Sequence, residues 1–203
     1  MSDASEGKCP FGFGDNDTAS STSNSRHTAA SPALTRDQLP KLLADPVEPG
    51  VDSLPTGRCL CGKVSYRINK PVQKVFANHD AVSRRWTGGI ALTIMIRATS
   101  MEFNGWGHIV THSTSNRESH CFCRLCGSSL FVRHMQPEAM AGMLSLSAGS
   151  LDNMDSMVLA AETYFDSKPQ FYEFVGTRKT LSGAEVEAMF TTPPVTAPMA
   201  GSV

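Results

Sequence analysis

The sequence predicts an all-β domain with few short helices, stapled by a metal ion, on three observations. Apolar and polar residues alternate at period two through much of the stretch from Gly57 to Phe190. Glycine-centred turns separate the short runs, as in Asn104-Gly105. Two cysteine pairs, Cys59-Leu60-Cys61-Gly62 and Cys123-Arg124-Leu125-Cys126-Gly127, lie far apart within it. Alternation buries one face of a strand, and four thiolates brought together from two turns make a closed tetrahedral zinc site.

The elements follow in order. Val64, Tyr66 and Ile68 alternate with Ser65 and Arg67, the pattern of a half-buried strand. Ile90, Leu92, Ile94 and Ile96 predict a second strand with these four side chains on one face. The Asn104-Gly105 turn leads to a strand around His108 to His112. Further strands are predicted at 130–133, 143–146 and 160–165. Ser182 and Glu185 form a capping box that starts a C-terminal helix. The aromatic pairs Tyr164-Phe165, Phe171-Tyr172 and Phe174-Val175, with Met140, Met143, Met154 and Met157, are expected to pack in the core.

Residues 1–30 contain no Leu, Ile, Val, Trp or Tyr, too little apolar surface to offset the entropy of ordering. The expected organisation is a disordered tail and linker over 1–55, the zinc domain over 56–190 and a proline-marked tail over 191–203. Within the first segment, residues 33–44 read as a short helix broken near Pro40, and Cys9-Pro10 reads as an exposed tail thiol.

Eighteen Lys and Arg against nineteen Asp and Glu leave a net charge of -1. Without a basic stripe, nucleic acid is not an expected partner, and no apolar run is long enough for a bilayer. The expected location is cytoplasmic, with the nucleus as the alternative. In a reducing compartment, six cysteines point to metal or chemistry before disulfides.

Gly57-Arg58-Cys59-Leu60-Cys61-Gly62-Lys63-Val64-Ser65-Tyr66, Phe122-Cys123-Arg124-Leu125-Cys126-Gly127-Ser128 and Ala148-Gly149-Ser150-Leu151-Asp152 occur in that order. Together they resemble the signatures of the glutathione-dependent formaldehyde-activating enzyme and centromere protein V family. The resemblance implies an Mss4-like β fold with one structural zinc on Cys59, Cys61, Cys123 and Cys126. It also implies a carbon–sulfur lyase acting on thiol adducts such as S-hydroxymethylglutathione.

The family carries a second motif, Cys-His-Cys-x-x-Cys-Arg, whose three cysteines bind a catalytic zinc. The matching stretch here is Asn78-His79-Asp80-Ala81-Val82-Ser83-Arg84. Asn78, Asp80 and Ser83 stand where the thiolates belong, a poor donor set for zinc, so a second catalytic metal is not expected.

Several readings of that stretch stay open. In one, it is a metal-free acid–base site for a small-molecule substrate, thiol adducts included. His79 and Asp80 then transfer protons, Ser83 and Asn78 bind substrate oxygens and Arg84 clamps an anion. The chemistry would be elimination, dehydration, isomerisation or cyclisation. In a second, the site is degenerate, with Asp80 paired to Arg84, and the domain is a zinc-stapled binding module. In a third, thiol-adduct lyase activity persists on an altered metal site that recruits His108, His112, His120 or Cys121. Cys121 beside His120 is also a candidate nucleophile, although neighbours on a strand face opposite ways.

Overall fold

The computed structural model describes residues 54–113 and 115–191. The expectations for residues 1–53, including Cys9-Pro10 and the 33–44 helix, and for the tail from 192 lie outside the described residues.

The elements are β1 (Thr56–Arg58), β2 (Ser65–Ile68), β3 (Lys74–Asn78), α1 (Ala81–Thr87), β4 (Ala91–Arg97), β5 (Met101–Asn104), β6 (Ile109–Ser113), β7 (Glu118–Cys123), β8 (Ser129–His134), β9 (Met143–Ser147), β10 (Val158–Thr163), β11 (Lys179–Leu181) and α2 (Gly183–Thr191). Strands dominate, as the alternation requires. They form a three-stranded sheet, β1-β2-β5, and an eight-stranded sheet, β11-β10-β3-β4-β9-β8-β7-β6. Most neighbours are antiparallel, but β10 runs parallel to both β3 and β11.

The core is made by alternate residues. Val64, Tyr66 and Ile68 meet Ile94 and Ile96 of β4, Leu130 and Phe131 of β8, and Leu144 and Leu146 of β9. Each buried Leu or Ile contributes roughly 1.5–3 kcal/mol of transfer free energy before chain entropy is subtracted. A smaller cluster of Leu181, Val186 and Met189, with Tyr164 against it, seats α2. The predicted capping box starts that helix, since Glu185 Oε2 accepts from Ser182 N at 2.7 Å and Ser182 Oγ accepts from Glu185 N at 3.3 Å.

Three expectations are corrected. Leu92 faces solvent while Ala91 is buried, so β4 shifts phase between Ala91 and Ile94. β10 ends at Thr163, because Tyr164 adopts a left-handed φ of 53° and turns the chain. Phe171, Val175 and Met154 are exposed, while Phe165, Tyr172 and Phe174 pack against His79. Besides these, a helix, α1, occupies part of the stretch matched to the second cysteine motif, for which the sequence predicts no element.

Candidate functional site

The two cysteine turns are built alike. Cys59 N donates to Val64 O and Gly62 N to Cys59 O; Cys123 N donates to Ser128 O and Gly127 N to Cys123 O. Gly62 and Gly127 take φ of 73° and 74°, the left-handed conformation that closes each turn and that glycine adopts without Cβ strain. The turns bring the sulfurs of Cys59, Cys61, Cys123 and Cys126 within 4.8 Å of one another. Cys59 Sγ and Cys61 Sγ lie 3.5 Å apart, and Cys61 Sγ and Cys123 Sγ 3.8 Å. A tetrahedral ion with metal–sulfur bonds of about 2.3 Å sets sulfurs about 3.8 Å apart, so this donor set fits a metal ion.

Further bonds tune the cluster. Val64 N donates to Cys59 Sγ at 3.3 Å. Ser128 Oγ accepts from Leu60 N and sits 3.2 Å from Cys126 Sγ, tying the two turns together. That hydroxyl is the main cause that brings the Cys126 thiol down to about 5, favouring the thiolate a metal needs. With four protein sulfurs the coordination is closed, so the cluster offers no open position to a substrate.

A separate cavity of about 380 Å³ opens between the eight-stranded sheet, α1 and α2. One wall is Asn78, Asp80 and Ser83, so the three positions where the family pattern places thiolates face one space. They are locally bonded: Asp80 N donates to Asn78 Oδ1 at 2.9 Å, and Asn78 Nδ2 to Ser83 Oγ at 3.3 Å. Asp80 is the N-cap of α1, its Oδ1 accepting from Val82 N at 2.8 Å and Ser83 N at 3.0 Å. Phe76, Met95, Met140, Leu181, Val186 and Met189 supply an apolar floor.

The other two residues of the expected catalytic set, His79 and Arg84, are not among the lining residues. His79 is fully buried. Its Nε2–H donates to the Glu162 carboxylate at 2.9 Å, and its Nδ1 accepts from the Tyr172 hydroxyl at 2.8 Å. Burial holds this imidazole below its ordinary pKa, against the opposing pull of Glu162. Arg178 Nη1 donates to the other Glu162 oxygen at 2.8 Å, and Arg178 also bonds the carbonyls of Phe174, Val175 and Gly176. His79 is therefore a satisfied hub that fastens residues 172–178 to β3 and β10. Burial raises the Tyr172 pKa and lowers that of His79, with the nearby Arg84 charge opposing the first and adding slightly to the second; Arg84 Nε is buried without a hydrogen bond.

The cavity contains residues the sequence did not single out, namely Arg117, Glu118, His134, Ser145 and Glu187, with Tyr164, expected only as core, beside them. They converge from β7 and the residue before it, β8, β9, the turn after β10 and α2, separated by up to 70 residues, and no local spacing announces them. Burial lowers the His134 pKa, and the His120 contact is the main cause that lowers that of Glu118. Leu181, Val186, Glu187 and Met189 come from the C-terminal segment, which thus completes the cavity.

The histidines considered for a second metal are dispersed. His112 pairs across the sheet with His120, and Trp86 packs on both, stacked on His112 at 6.1 Å and tilted on His120 at 4.6 Å. Among the described residues, the four cysteines are the one group of three or more His, Cys, Asp or Glu side chains gathered closely enough for a metal. Cys121 points into the core, where burial raises its pKa. Among the described residues no helix is long and apolar enough to cross a membrane.

Fold and site together define a small β domain with a four-cysteine cluster that fits a metal ion and a separate polar-walled cavity. The profile of the family described as glutathione-dependent formaldehyde-activating enzyme matches residues 54–167, more than half of the chain, and the chain belongs to that family. No curated protein matches it. The match ends before β11 and α2, so the C-terminal wall of the cavity lies beyond it.

Proposed function

We propose that the chain is a divergent enzyme of this family, with one structural zinc on Cys59, Cys61, Cys123 and Cys126 and metal-free acid–base chemistry in the cavity. The observation that carries this reading is the convergence of Asn78, Asp80 and Ser83 on one cavity. A carboxylate, an amide and a hydroxyl are weak zinc ligands as a set but suit proton transfer and the binding of substrate oxygens.

Asp80 is the proton-transferring group. Its Oδ1 is held by two backbone amides, which fixes the carboxylate against the cavity. Ser83 and Asn78 bind the substrate's oxygens. His79 and Arg84 act from behind the wall as positioning residues, His79 by anchoring the end of β3 through Glu162. The zinc holds the two cysteine turns and takes no part in the reaction. The fitting reaction class is elimination, dehydration, isomerisation or cyclisation of a small molecule.

The cavity is open, which favours an enzyme over a binding module with a filled pocket. Trp86, which could have filled it, packs instead on His120 and bonds Ser129 Oγ at 3.0 Å.

The ring-opening of 5-nitrobenzisoxazole, a neutral probe of proton abstraction by a carboxylate, tests this reading. The full chain accelerates it, and Asp80→Asn loses about 10²-fold of the rate. An unchanged rate in Asp80→Asn refutes the role of Asp80.

A further inference from the structure

One chain of contacts in the cavity is not used by Asp80. Ser145 of β9 places Oγ 2.7 Å from Nε2 of His134, at the end of β8. His134 Nδ1 lies 4.0 Å from Glu118 Oε2 on β7. The second Glu118 oxygen is 3.5 Å from Nε2 of His120. Ser145, His134 and Glu118 all line the cavity, while His120 is buried behind it with neither ring nitrogen hydrogen-bonded.

Ser145 Oγ also donates to Met95 Sδ at 3.1 Å, a weak acceptor that the hydroxyl proton can leave for His134. A hydroxyl within reach of an imidazole whose far nitrogen faces a carboxylate is the arrangement of an activated nucleophile. The chain order, Glu then His then Ser, is immaterial, since such sets are recognised by geometry and role. Neighbouring strands of one sheet hold all three, so their spacing is set by the ladder: Glu118 is paired with His134 and Val132 with Ser145. The 4.0 Å gap is one that a bound substrate can close, as catalytic contacts often tighten on binding.

We propose that Ser145, His134 and Glu118 form a nucleophile, base and orienting set that hydrolyses small uncharged esters, an activity that does not depend on Asp80. Ser145 Oγ bonds to the ester carbonyl carbon as its proton passes to His134 Nε2. The carbon–oxygen bond to the alcohol breaks, and the alcohol leaves with that proton. Water then attacks the acyl carbon, giving a proton to His134; the acyl–Ser145 bond breaks, Ser145 recovers the proton and the carboxylic acid departs. Glu118 stabilises the imidazolium in both halves. The side-chain donors available to the oxyanion are the Asn78 amide and the Arg117 guanidinium, which line the same cavity.

The substrate class follows from the lining. Asp80, Glu118 and Glu187 are set against the single guanidinium of Arg117, which already bonds Glu187 at 3.2 Å, so an anionic ester is repelled. Phe76, Met95, Met140 and Met189 accept an apolar acyl or alkoxy group.

The test uses the full chain with p-nitrophenyl butyrate as substrate and diisopropyl fluorophosphate as label. Expected are release of p-nitrophenol and one phosphoryl adduct per chain, mapped by mass spectrometry to the peptide carrying Ser145. Ser145→Ala and His134→Asn lower both readouts about 100-fold or more. Glu118→Gln slows labelling and moves its pH midpoint downward, while Glu118→Asp restores part of the rate. Burial of His134 lowers this midpoint first, with Glu118 raising it and His120 lowering it from β7, and Arg117, Asp80 and Glu187 are the other charged groups lining the same cavity. No adduct in the wild-type chain, an adduct on another serine, or labelling that survives Ser145→Ala overturns the proposal. Each of these leaves the Asp80 reading to its own test with 5-nitrobenzisoxazole.

Discussion

Under the proposed function Asp80 carries two separable duties, and two substitutions divide them. As N-cap it satisfies the amides of Val82 and Ser83 at 2.8 and 3.0 Å. α1 has only seven residues and buries no side chain completely, so packing does little to compensate for a lost cap. Asp80→Ala therefore costs about 1 kcal/mol, which for a domain of this size lowers Tm by about 3–6 °C. Asparagine caps as well as aspartate, so Asp80→Asn stays within about 1 °C of wild type while losing the carboxylate of the proposed proton transfer. Differential scanning calorimetry reads the first effect and the 5-nitrobenzisoxazole assay the second. The reasoning is refuted if Asn destabilises as much as Ala, or if Ala is thermally silent.

Other consequences follow from the buried groups. Cys123→Ser removes one of four metal donors and unfolds the domain or lowers Tm by more than 10 °C, an effect of several kcal/mol read by circular dichroism with and without added zinc. His79→Ala leaves Glu162 Oε2 and the Tyr172 hydroxyl without their partner, though Arg178 still holds Oε1, and empties the volume of a buried imidazole, so it costs about 3 kcal/mol, whereas Tyr172→Phe loses one hydrogen bond and costs about 1 kcal/mol; urea denaturation separates the two. Burial lowers the pKa of both His79 and His134 from 6.5, so below that pH the unfolded chain binds more protons than the folded one. Stability is then full above about pH 6.5 and falls as pH drops from there toward the folded values. Thermal melts from pH 8 to 5 check this, and His79→Gln flattens the slope.

What the sequence disclosed was what local spacing encodes. The alternation of Val64, Tyr66 and Ile68 became a buried strand face, the two cysteine turns closed on each other, and Ser182 with Glu185 capped α2. Leu92 misled because a strand face is chosen by its neighbours: Ala91 pairs with Asn78 at the edge of β3, and the phase there follows that pairing. His79 was assigned to chemistry because its residue type suits it. Its partners Glu162 and Tyr172 lie 83 and 93 residues away, and the parallel β3–β10 pairing that brings Glu162 beside it leaves no local trace. The same holds for Glu118, His134 and Ser145, each unremarkable in its own strand and informative only once three strands are laid side by side. Asp80 and Ser83 were legible because the family pattern marks their positions, and the cavity shows what those positions face.

The central claim is that the chain retains a structural zinc while the donors of a second have given way to a proton-transfer wall. Zinc per chain, measured by inductively coupled plasma mass spectrometry on wild type, Asp80→Ala and Cys123→Ser, tests it most directly. The account predicts one equivalent in wild type, one in Asp80→Ala and none in Cys123→Ser. Two equivalents in wild type, with one lost in Asp80→Ala, would contradict it.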